Sequence, residues 1–94
     1  MNKIIFKIVN TNSELQQCFS IRYSVFVEEQ EMFKETDQDE FDNDAIHIAA
    51  INSDDGNVIS TVRCHQVGNN IWYGSRLAVP KEYRNHHSRI GIKL

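Results

Sequence analysis

Four short apolar runs punctuate this chain, and between the first and second of them the hydrophobic period lengthens from that of a strand to that of a helix. Residues 3 to 9, KIIFKIV, are β-branched and aromatic, which predicts a first strand. Thr11 and Ser13 then offer capping hydroxyls, with Glu14 in the first turn. Leu15, Cys18, Phe19, Arg22, Val25 and Phe26 follow on one face at about 100° per residue. This pattern predicts a helix running to about residue 30, with a break near Tyr23 to Val25 left open. Residues 45 to 52 (AIHIAAIN), 58 to 67 (VISTVRCHQV) and 71 to 79 (IWYGSRLAV) read as three more strands. Asp54-Asp55-Gly56-Asn57 and Gly68-Asn69-Asn70 separate them as turns, since Asp-Gly tolerates positive φ. Residues 31 to 44 lack apolar periodicity beyond Met32 and Phe33 and read as a loop; residues 80 to 90, after Pro80, read as another. Gly91 to Leu94 resembles the first turn of a helix.

The element order is strand, helix, then three strands, which implies an antiparallel meander under one helical layer. Ninety-four residues allow a single domain, spanning 1–94, with a marginal core. Apolar content of 40% with one proline indicates a folded globular chain. The net charge of −3 argues against general nucleic-acid binding. No run is long enough to span a membrane and no signal peptide is evident. Cys18 and Cys64 form no CxxC pair, so a cytoplasmic chain with reduced thiols is expected.

One residue disturbs the helical stripe. Arg22 sits near its centre, and an unpaired charge withdrawn from water costs several kcal/mol. The acidic loop holds candidate partners: Asp37, Asp39 and Asp42, with Asp42 foremost because the neighbouring Phe41 can pack and fix the loop. In the third strand Arg63 shares a face with Thr61 and His65, which makes it a second inward cation. Arg22, Arg63 and the three aspartates are therefore expected to form an ion network. It serves either to clamp the loop to the sheet or to contact substrate. The loop lacks the glycine and glutamate of an EF-hand, and the four histidines show no metal spacing, so no metal is expected. A second constellation is Arg84-Asn85-His86-His87-Ser88-Arg89-Ile90-Gly91, a basic loop leading into a helix start. Free backbone N–H groups and flanking arginines suit it to a phosphate or diphosphate.

Taken together, IRYSVFVEEQ, the D-x-x-D acidic stretch, HIAA, VISTVRC, WYGSRLAVPKEYR and RIGIKL resemble the N-terminal half of the GNAT acyl-CoA N-acyltransferase superfamily. The resemblance implies an α/β fold: a mixed, mainly antiparallel sheet flanked by helices, here truncated after the fourth strand. It implies acetyl-CoA or another acyl-CoA as co-substrate and a small-molecule amine as acceptor. Leu77, Ala78 and Val79 would offer main-chain groups to the pantetheine arm. Arg84, Arg89, Ile90 and Gly91 would belong to the diphosphate loop. The chain departs from the family's Gln/Arg-x-x-Gly-x-Gly/Ala pattern, because Arg89 stands at the first glycine and His86 at the Gln/Arg position. A side chain there obstructs close approach of a phosphate. The general base is not identifiable, and a chain ending at Leu94 is expected to be weak or inactive by itself unless a homodimer completes the sheet.

Arg22, Phe26, Asp37, Asp39, Asp42 and Arg63 are also similar to a pattern in the acyl-homoserine-lactone synthases, which share this fold. Asp37 replaces their usual glutamate and Met32 their tryptophan. That synthase activity, and a non-enzymatic remnant or interaction module that recruits a partner strand to residues 71–79, are the two alternatives.

Overall fold

The computed structural model describes residues 3–84. Four strands, β1 (Ile4–Ile8), β2 (Ile46–Asn52), β3 (Val58–Gly68) and β4 (Ile71–Ala78), lie side by side in chain order. Every neighbouring pair is antiparallel. The meander predicted for the last three strands is present, and β1 adds to its β2 edge. The turns carry the expected left-handed residues, Gly56 at φ 75° and Asn70 at φ 61°. In the first of them the Gly56 N–H donates to the Asn52 carbonyl, and the Asp55 carboxylate accepts from the Asn57 N–H.

Helix α1 (Asn12–Arg22) starts where the sequence places it. The Thr11 hydroxyl accepts the Glu14 N–H at 3.1 Å, one of the four donors a helix start leaves unpaired. Gln17 Oε1 accepts the Val58 N–H, tying the helix to the first residue of β3. The helix then packs across β2, β3 and β4. Cys18 meets Ala49, Ile51 and Val58, and the two wholly buried residues Cys18 and Ala49 are small enough for the helix to sit close to the sheet. Alternation along β2 sends Ala50 the other way, where it packs with Ile59, Phe6 and Tyr83.

The open question of a break at Tyr23 resolves as a widening. The chain stays helical but its bonding becomes π-type over Tyr23–Glu29, with the Gln30 N–H reaching back five residues to the Val25 carbonyl at 2.9 Å. The wider turn buries three consecutive residues, Val25, Phe26 and Val27, which a narrower helix would spread around its circumference. Val25 and Phe26 close over Ala78 at the end of β4. Glu31, at φ 52°, ends the helical run. Within the acidic loop, read from sequence as irregular throughout, Glu40–Asn43 forms a 3-10 turn.

Candidate functional site

The bulkiest fully buried side chain among the described residues is that of an arginine. Arg22 projects from the last turn of α1 beneath the acidic loop. Its Nε donates to Asp37 Oδ2 at 2.6 Å, Nη1 to Asp42 Oδ1 at 2.6 Å and Nη2 to Asp42 Oδ2 at 3.0 Å. Arg63, inward from β3, donates to Asp39 Oδ1 at 2.5 Å and to Ser75 Oγ at 3.2 Å, and lies 3.3 Å from Asp42 Oδ1. The structure thus brings together all five ionic residues singled out in the sequence. The spacing of the aspartates has a local cause. Asp39 caps the 3-10 turn by accepting the Phe41 N–H, and Asp42 accepts the Asp39 N–H in return. This reciprocal box fixes both carboxylates, so that one faces Arg63 and the other Arg22.

Phe26 is a buried apolar residue. It packs against Ala78 and edge-on to Phe33, with ring centroids 6.4 Å apart. Phe41 remains half exposed and stacks on His65 at 4.4 Å.

The network has a sixth member that the sequence reading missed. Arg76 donates to the Asp37 carbonyl at 3.0 Å, pairs with Asp39 Oδ2 at 3.2 Å and lies over the Phe33 ring at 4.5 Å. Ser75 already points to the same side, since it receives Arg63. Successive residues of a regular strand face opposite ways. They face the same way here because β4 carries a bulge. Thr61 pairs with Ala78 and Arg63 with Ser75, so two steps on β3 match three on β4. Arg76 sits in that bulge at φ 55°, a conformation non-glycine residues seldom adopt. One signal was available in the sequence: two arginines against three aspartates leave a charge unbalanced, and a third, partly buried cation balances it.

The electrostatics follow from the geometry. Burial pushes the Asp42 carboxyl up, but hydrogen bonds from Arg22 and the Asp39 N–H, with the charges of Arg22 and Arg63, outweigh it and hold it at about 2. Asp39 is likewise held below the ordinary carboxylate value: burial opposes this, and the bond from Arg63 overcomes it. A carboxylate pinned in this way is a poor proton acceptor. Burial pushes His47 down, keeping it neutral; its Nε2 lies 3.3 Å from the Asp42 carbonyl and its ring is edge-on to Phe19.

A cleft of about 320 Å³ opens where β4 ends, between the π-helical segment and residues 80–82, with Ile21, Val25 and Ile59 among its walls. Of the residues expected to hold coenzyme A, Ala78 is buried beside this cleft and Leu77 is half exposed in the bulged segment. The Val79 carbonyl accepts a 2.7 Å bond from Arg84 Nε. Arg84 also pairs with Glu29. Arg89, Ile90 and Gly91, and the predicted helix start, lie outside the described residues. A second cleft, of about 500 Å³, lies between the start of α1 and the start of β2, with Thr11, Asn43 and His47 in its wall. Among the described residues, no helix is long and apolar enough to cross a membrane.

An antiparallel sheet under a helix, with its fourth strand bulged near a cleft, makes an α/β domain. An acetyltransferase (GNAT) domain model matches residues 21–71, more than half of the 94, and the chain belongs to that family. The matched stretch contains Arg22, Phe26, Asp37, Asp39, Asp42 and Arg63, whereas Arg76 and the residues expected at the cofactor lie beyond it.

Proposed function

We propose that this domain transfers an acyl group, most simply acetyl, from acyl-coenzyme A to the nitrogen of a small-molecule amine. The observation that carries the reading, within an acetyltransferase family, is the break in β4. The bulge at Arg76 and Leu77 takes main-chain groups out of the ladder shortly before Pro80, where the chain enters the wall of the cleft. The residues present fit the group. The cleft is apolar along Ile21, Val25 and Ile59, with Lys81 in its wall, and Arg84 adjoins it through its contact with Glu29. Main-chain groups of Leu77, Ala78 and Val79 would lie along the pantetheine arm, and Arg84 would face the diphosphate. Arg89, Ile90 and Gly91 join this assignment through the sequence resemblance alone.

When bound, acyl-CoA supplies a thioester carbonyl open to attack by an amine. A backbone N–H at the end of β4, near Val79, would polarise that carbonyl, an interaction that strengthens as negative charge develops on the oxygen. The Arg–Asp network holds the acidic loop as the wall on the acceptor side, next to the bulge through Arg76. Its exposed acids, including Glu35 and Glu40, favour a cationic acceptor over an anionic one.

Calorimetric titration with acetyl-CoA tests the reading. The 94-residue chain should bind it and Arg84→Ala should bind it more weakly. Absence of binding together with absence of turnover on mixed amines would refute the proposal.

A further inference from the structure

The cleft at the end of β4 is bordered by an ion pair that joins two distant segments. Arg84 Nη2 meets both carboxylate oxygens of Glu29, a residue 55 positions earlier at the end of the π-helical segment. Arg84 Nε is held separately on the Val79 carbonyl. Glu29 lines the cleft, as do Lys81 and Glu82. A guanidinium takes carboxylates and phosphates through the same planar array of N–H donors. The Glu29 carboxylate therefore occupies Nη2, a donor on Arg84 that an anionic ligand of this cleft would also use.

We propose that Glu29 sets the affinity of the site by competing, as an internal anion, with the diphosphate of an incoming coenzyme A ester for Arg84. The inference rests on the acyl-CoA reading above for the identity of the ligand. Two features make the competition displaceable. Both partners keep about a third of their side-chain surface in water, 38% for Arg84 and 31% for Glu29, and exposed pairs of this kind are weak. The bond from Nε to Val79 does not involve Glu29, so Arg84 stays anchored at the strand end when the carboxylate leaves. A diphosphate brings at least two charges against one. The contact thus works as a selectivity filter, which a singly charged ligand displaces poorly and a diphosphate displaces well.

The experiment is calorimetric titration of the 94-residue chain with coenzyme A and, separately, with inorganic pyrophosphate. Glu29→Gln should bind both about two- to fivefold more tightly than the unmodified chain, the range expected for release of an exposed ion pair. Glu82→Gln removes the same charge from the same cleft without touching Arg84 and should give a smaller gain. In an Arg84→Ala background, the gain from Glu29→Gln should shrink to that of Glu82→Gln. A gain no larger than that of Glu82→Gln, or one that survives Arg84→Ala undiminished, overturns the competition while leaving the acyl-CoA reading in place. Failure of both the unmodified chain and Glu29→Gln to bind coenzyme A overturns that reading, and this inference with it.

Discussion

Arg22 Nη1 lies 2.6 Å from Asp42 Oδ1, and the two side chains are only 1% and 6% exposed. The same guanidinium holds Asp37 through Nε at 2.6 Å, with Asp37 2% exposed. Arg22 therefore compensates two carboxylates that have almost no access to water. Replacing it takes the nearest cation from both carboxylates at once. Arg22→Met should cost about 3–5 kcal/mol, the usual loss when a buried pair is broken from one side. Asp39→Asn, at a side chain 32% exposed, should cost about 1 kcal/mol or less. Urea denaturation reads both; equal losses would show that burial does not govern the network.

Arg76 joins the network only because its backbone is left-handed. Arg76→Gly loses the contacts with Asp37, Asp39 and Phe33 but suits the bulge. Arg76→Val loses the same contacts and puts a β-branched residue at φ 55°. The valine variant should be less stable than the glycine variant by about 1–2 kcal/mol. Thermal melting of the pair checks this, and equal melting temperatures would mean that the bulge is not retained.

The folded chain resists protonation at two buried groups, and both effects weaken it in acid. Asp42 is held at about 2 against an ordinary value of 3.8. Its contribution is complete above about pH 4 and is lost as pH falls through 2, on the order of 2 kcal/mol in total. His47 lies below its ordinary 6.5 because burial disfavours the imidazolium. Below pH 6.5 the unfolded chain takes up a proton there that the folded chain refuses, so stability falls with pH. In denaturation series from pH 7 to 5, His47→Gln should lose less stability than the unmodified chain. Parallel curves would show that His47 titrates normally.

The start of α1 offers a local test. Thr11→Ala removes the acceptor for the Glu14 N–H and should cost about 1 kcal/mol. Thr11→Ser keeps the oxygen and should cost less, as read by the same denaturation midpoint.

Much of this architecture is legible in local pattern. Strand and helix positions follow from residue period, the cap from Thr11, and the first hairpin from Asp55 and Gly56. The conspicuous place of Arg22 in an apolar stripe also points to a buried partner, and the box formed by Asp39 and Asp42 is a short-range motif that presents one. The widening at Tyr23 is less legible. Its residues suit an ordinary helix, and the π-type bonds place Val25 and Phe26 over Ala78, a residue more than fifty positions away.

The sequence by itself determined the order of the elements and the pairing of an inward arginine with the acidic loop, because each depends on residues within a turn or on the cost of an unpaired charge. Only the tertiary structure decided that Arg76 belongs with them and that Arg84 rests on Glu29. The first depends on a one-residue slip between β3 and β4, which reverses the side to which Arg76 points. The second joins positions 55 residues apart, a distance over which no local propensity acts.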